Sequence, residues 1–212
     1  MTPDHDLSVG KSFAWKHAGR RLRELVRSQD GTAAIEFALL AIPYFLIIFA
    51  ILETFVAFTA EQVISNAVDT LSRQIRTGQI TYNLGRTTDM TQTQFRQAFC
   101  DQISIIIACS STEAATPAKL YLDVETFATF AAMPTTIPRV SSTDSYSDLD
   151  TTGFNFSPGG AKSYNMLRAY YRWQILTDLL RPYLTNIHPT DGSMPTTYLI
   201  VATGAFENEN YP

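Results

Sequence analysis

Glu36 is the side chain whose placement most restricts what this 212-residue sequence can do. It stands at the mouth of an apolar run: Phe37 to Leu52 are 16 uncharged residues, and Thr54 to Ala60 add seven more after Glu53. A carboxylate at the edge of a membrane segment is expensive and is usually kept for a purpose. The chemistry open to it is charge pairing. Buried alone it would cost several kcal/mol, so it either stays hydrated at a headgroup boundary or meets a cationic group inside an assembly.

Catalytic chemistry has little material elsewhere. His5, His17 and His188 are scattered, and His188 has no partner near it in sequence to suggest a triad or metal site, which reads as a loop or surface histidine. No glycine-rich loop cradles phosphate. The run Asp144-Ser145-Tyr146-Ser147-Asp148-Leu149-Asp150 lacks the alternating ligands and central glycine of a calcium loop, and reads as a polar loop. Tyr164, Tyr170, Tyr171 and Trp173 alternate as sheet residues do, on a core face and a surface face. Without a nucleophile–base pair or a ligand set, the expectation is a protein that is not an enzyme and needs no cofactor or metal.

Cys100 and Cys109 are the only thiols. On one straight helix they would lie about 13 Å apart along the axis, whereas bridged Cα atoms lie within roughly 7 Å. A bridge therefore demands a chain reversal between Asp101 and Ala108; the alternative is two buried free thiols. An oxidising compartment favours the bridge. Two cysteines without nearby histidines leave half a zinc site empty.

The elements that must position these residues follow from charge and periodicity. Residues 1–31 carry six Lys/Arg (Lys11, Lys16, Arg20, Arg21, Arg23, Arg27) and four Asp/Glu, a net +2. With −4 for the whole chain, residues 32–212 carry −6. A basic start beside an apolar run stays cytoplasmic by the positive-inside rule, and the acidic body is exported. That body has no basic stripe for phosphates, which argues against nucleic acid as a partner. The organisation expected is a basic cytoplasmic leader over 1–31, a transmembrane helix over 32–60 and a periplasmic domain over 61–212. A cleaved secretory signal would have a shorter apolar core, about 7–15 residues, so the helix should be retained in the bilayer.

The helix should continue beyond the membrane. Val63, Ile64, Ala67, Val68, Leu71 and Ile75 recur every three or four residues. Arg73 and Arg76 complement the helix dipole, and Gly78 ends it, after about 45 residues and about 68 Å. A short helix is expected over Thr91–Ala98, with Phe95 and Phe99 as anchors. Strands are expected over Lys119–Phe127, Ser163–Ile175 and Thr197–Phe206, and a long loop over 134–160. Leu176–Leu184 reads as helical, bent or ended by Pro182. The fold class is therefore α+β: a long N-terminal helix, transmembrane then amphipathic, packed on a small mainly antiparallel sheet.

The stretch Gly31-Thr32-Ala33-Ala34-Ile35-Glu36-Phe37-Ala38-Leu39-Leu40, with Pro43 and the apolar helix behind it, resembles the TadE-like family of pilus-assembly proteins of Flp-type (type IVb, tight-adherence) pili. Arg73-Gln74-Ile75-Arg76-Thr77-Gly78-Gln79 is similar to the family's segment at the end of the long helix. Phe99-Cys100, Cys109 and Leu120 to Phe127 fall where such proteins carry a cysteine pair followed by a strand. The closing Phe206-Glu207-Asn208-Glu209-Asn210-Tyr211 is similar to the ending of several members. The resemblance implies a pilin-like pseudopilin of the bacterial inner membrane, single-pass, with a cytoplasmic N-terminus and a periplasmic body, in the fibre or at its tip. It implies cutting by a prepilin peptidase between Gly31 and Thr32, which makes Glu36 the fifth residue of the mature chain. Glu36 and Phe37 would then serve assembly, Glu36 facing the new α-amine at Thr32 of a neighbour. The implied partners are other pilins and pseudopilins, the peptidase, the inner-membrane assembly platform and the lipid bilayer. The competing expectation is an uncleaved membrane-anchored periplasmic binding or scaffold module.

Overall fold

The computed structural model describes residues 32–211. The leader 1–31, and Gly31 with it, lies outside the described residues. Two units are distinguished, one ending at Phe49 and one beginning at Ala50. Helix α1, Thr32–Arg76, is the 45-residue helix expected from periodicity. In its first unit every described residue from Thr32 to Leu40 is exposed, and Pro43 is accommodated without ending the helix.

The second unit is built on the amphipathic half of α1. Ala57, Ala60, Ile64, Ala67, Val68, Leu71 and Ile75 form one buried stripe. Burying a Val, Leu or Ile of this stripe contributes about 1.5–3 kcal/mol. Its partner is a three-stranded antiparallel meander of β1 (Leu120–Phe127), β2 (Tyr164–Gln174) and β3 (Thr197–Glu207), in the order β1-β2-β3. Leu120 lies opposite Tyr171 and Phe127 opposite Tyr164; Tyr164 in turn lies opposite Glu207 and Gln174 opposite Thr197. The alternation read from sequence fixes the faces. Leu120, Leu122, Val124, Leu167, Ala169 and Tyr171 join the core that contains the α1 stripe. At Gly204 on β3 an added Cβ would stand 2.5 Å from Ser72 Oγ and 3.1 Å from Val68 Cγ1, so the missing side chain is what lets α1 approach the sheet.

Helix α2 (Gln92–Ile103) closes the side of this core. Thr91 and Gln94 form a capping box: the Gln94 amide donates to Thr91 Oγ1 at 3.3 Å and the Thr91 amide to Gln94 Oε1 at 2.8 Å. The helix runs five residues past the expected Ala98, because Phe95, Phe99 and Ile103 repeat every fourth residue and all three are buried. A short α3 (Ser111–Ala115) follows.

The opposite face of the sheet is covered too. Tyr170 and Leu199 pack with Leu149 and Ile187, and the Phe154 ring stacks on Tyr170 at 4.9 Å between centroids. The segment 134–160 has no regular strand or helix, as expected, yet it is tied down: Arg172 pairs with Asp148 at 2.8 Å, and Arg168 donates to the carbonyls of Thr136 and Pro134. The expected Leu176–Leu184 helix is reduced to α4, Arg181–Leu184. Proline lacks an N–H and clashes with the carbonyl four residues back, so a helix begun at Leu176 cannot pass Pro182. Pro182 instead sits in the first turn, where prolines are accepted.

Candidate functional site

Among the described residues, those singled out from sequence divide among the helix surface, the disulfide loop and the sheet face. On α1, Thr32, Glu36 and Phe37 are all exposed. Thr32 and Glu36 are four residues apart and so share a helix face, about 6 Å apart along the axis. Glu36 is the lone ionisable charge between Thr32 and Leu52. The most apolar 18-residue window of the helix has a mean hydropathy of 2.5 and no buried residue, so this helix is long and apolar enough to cross a membrane. Thr54 and Thr59 return their hydroxyl protons to the carbonyls of Ala50 and Phe55, four residues back, at 2.9 and 2.7 Å, which leaves no free donor on those side chains.

Glu53 has a role that sequence reading missed. Its carboxylate accepts the backbone N–H groups of Leu176 and Thr177, the latter at 2.9 Å. The partners lie more than 120 residues away in sequence, and no local pattern signals them. Two turns further on, Tyr198 Oη donates to Glu61 Oε2 at 3.4 Å. The first two carboxylates of α1 after the apolar run, Glu53 and Glu61, are thus committed to the body.

The other end of α1 is clasped. Gly78 takes φ +73°, a left-handed conformation that glycine adopts without penalty, and the Gln79 and Ile80 amides return to the Gln74 carbonyl at 2.9 and 3.1 Å. A Cβ on Gly78 would stand 2.7 Å from the Tyr211 ring. The Glu209 amide donates to the Arg76 carbonyl at 2.9 Å, and the Arg76 and Glu209 side chains meet at 3.2 Å. Asn208 Nδ2 donates to the carbonyls of Gly159 and Gly160. The amide-rich ending therefore holds the helix terminus to the sheet.

Cys100 and Cys109 are joined, with Cα atoms 5.2 Å apart. Cys100 is inside α2 and buried; the helix stops three residues later, and the Ile106 and Ile107 amides both turn back to the Ile103 carbonyl. That turn is the chain reversal the bridge demands. Beside it, buried Arg96 donates to the carbonyls of Glu113, Ala114 and Leu120 at 2.8–2.9 Å. Glu113 Oε1 accepts the amides of Ala118, Lys119 and Leu120. Burial opposes ionisation of Glu113, but these amides and the Arg96 charge outweigh it and hold its pKa below the ordinary value. The pair locks α2, α3 and the start of β1 together.

On the outer sheet face a cavity of about 330 Å³ is lined by Asp123, Glu125, Asp150, Arg168, Phe154 and Tyr170, among others. Burial pushes the Asp123 carboxyl up to about 6, against the Asn155 amide that donates to it at 3.2 Å. His188 is an exposed loop residue whose ring stacks on Tyr146 at 4.2 Å. The acidic run near it is spent on bonds within the body: Asp144 accepts the Tyr146 amide, Asp148 pairs with Arg172 of β2, and Asp150 accepts the amide and hydroxyl of Thr152.

Residues 31–73 match the model of the family described as TadE-like protein. The match spans Glu36, the apolar run, Glu53 and most of the amphipathic stripe. No curated protein and no solved structure matches the chain.

Proposed function

We propose that this chain, TadE-like over residues 31–73, is a minor pilin or pseudopilin that takes part in building a type IVb (Flp/Tad) pilus used in surface attachment, and that it is not an enzyme. The observation that carries this reading is the lone charge of Glu36 on an exposed, otherwise apolar helix surface that lies inside the TadE-like segment. In the bilayer such a surface is solvated by lipid; in a fibre it packs against like helices. The carboxylate then needs a cation, and the α-amine created by cutting after Gly31 supplies one.

The body stays in the periplasm, the leader faces the cytoplasmic peptidase, and other pilins with the inner-membrane platform are the partners. The disulfide fits an exported body. Glu36→Gln tests the charge role, because it keeps the size and removes the charge. The variant should insert and fold as wild type but be depleted from sheared pili, as read by immunoblot of membrane and pilus fractions. Normal incorporation of Glu36→Gln would refute the pairing.

A further inference from the structure

The segment between β2 and β3 carries apolar side chains that the other described residues leave exposed. Leu176, Leu179, Tyr183 and Met194 are 77, 54, 82 and 55 % exposed. Arg181 ties the two ends of this segment together. Its Nε donates to the Ile175 carbonyl at 3.2 Å, its Nη1 pairs with Asp178 at 2.6 Å, and the same Nη1 approaches Met194 Sδ at 3.9 Å. Leu179 and Tyr183 are four residues apart around the Leu180 cap of α4.

What covers this patch follows from where it is tied. The Leu176 and Thr177 amides donate to the Glu53 carboxylate, so the patch lies beside Glu53. Glu53 is the first charge after the uncharged run Phe37–Leu52, whose 16 residues rise about 24 Å against a hydrocarbon thickness of about 30 Å. Glu53 therefore falls at or just inside the outer boundary of any bilayer that the run spans. The exposed Phe55, Val56 and Phe58 extend the apolar surface of α1 past that level. Amide donors at Glu53 are what a carboxylate at that depth requires, since water is scarce there.

Resting on the membrane-spanning reading above, we infer that the Leu176–Met194 segment is a second membrane contact, inserted into the headgroup region of the outer leaflet of the spanned bilayer. Leu176, Leu179 and Met194 meet the acyl boundary, and Tyr183 takes the interfacial position that aromatic side chains favour. The chain thereby meets the membrane at two places, the apolar run and this segment.

The test is photocrosslinking of the full chain in phosphatidylethanolamine–phosphatidylglycerol vesicles, with benzoylphenylalanine at position 179 or 183. Position 45, in the apolar run, is the control for spanning. Position 130 is the control for an exposed apolar residue away from the membrane: Phe130 packs on Tyr164, and β2 carries the chain about 36 Å from Tyr164 to Ile175. Lipid adducts at 45, 179 and 183 but not at 130 are expected. Adducts at 45 with none at 179 or 183 would overturn the inference and leave the span intact. So would crosslinks from 179 or 183 to a second copy of the chain. Absence of adducts at 45 would instead defeat the spanning reading itself, and this inference with it.

Discussion

Opening the Cys100–Cys109 bridge should cost the body about 2.6 kcal/mol through chain entropy alone. The two residues are nine apart, and the closed loop restricts the unfolded chain by an entropy that grows as the logarithm of its length. The estimate is insensitive to how the loop is counted, since doubling its length adds only about 0.6 kcal/mol. Replacing buried Cys100 by Ala also removes a packed sulfur, worth on the order of 1 kcal/mol. Cys109 is half-buried and tolerates Ser. The double variant Cys100→Ala/Cys109→Ser should therefore lose about 3–4 kcal/mol, or roughly 6–16 °C in Tm at about 2–4 °C per kcal/mol for a unit of this size. The assay is thermal and urea unfolding of detergent-solubilised full-length protein, followed by circular dichroism. Wild-type protein under reductant separates the two contributions, because it opens the loop without changing the packing. It should fall most of the way to the double variant. Equal stability of oxidised and reduced wild type would refute the loop-entropy argument, and two alkylatable thiols in exported protein would refute the bridge.

Two further perturbations probe the sheet. Asp123 has its pKa raised to about 6 by burial, from an ordinary value near 3.8. A raised carboxylate pKa means the folded state binds the proton more tightly. Its penalty is absent below about pH 4, grows as pH rises from about 4 to 6, and is complete above that. Asp123→Asn should flatten the wild-type decline over that window and stabilise the protein at pH 7 by up to about 3 kcal/mol; an unchanged pH profile would show that the carboxyl is not desolvated. Gly204→Val would force a side chain into Ser72 and Val68 of α1, and should destabilise by about 1–3 kcal/mol, whereas the same change at Gly153, which faces open space, should cost little. Comparable losses at both glycines would count against close helix–sheet approach.

Much of this architecture was legible because it rests on local periods. The α1 stripe repeats every three or four residues, and in β1 and β2 the residues facing α1 (Leu120, Leu122, Val124; Leu167, Ala169, Tyr171) recur at every second position, so helix, strands and the face turned to α1 follow from residue order. Leu176–Leu184 misled because its leucines have helical spacing while Pro182 forbids the helix that would use them. The length of α2 was under-read because Ile103 continues the every-fourth-residue anchor spacing of Phe95 and Phe99 past the expected end at Ala98. Contacts between distant residues were not legible at all. Nothing near Glu53 announces the Leu176 and Thr177 amides, and nothing near Gly78 announces the Tyr211 ring. Glu36 stands out in the sequence as a single charge at the mouth of an apolar run, whereas the carboxylates that find amides across the fold do not.

The central claim is that the chain is cut after Gly31 and works with a free amine four residues before Glu36. The N-terminus of the protein extracted from membranes, determined by mass spectrometry with and without the prepilin peptidase, tests it most directly. The account predicts a chain beginning at Thr32 when the peptidase is present, and the full precursor when it is absent or when Gly31 is replaced by Leu. A chain beginning at Met1 or Thr2 in cells that assemble pili would contradict it, and would leave an uncleaved membrane-anchored module in its place.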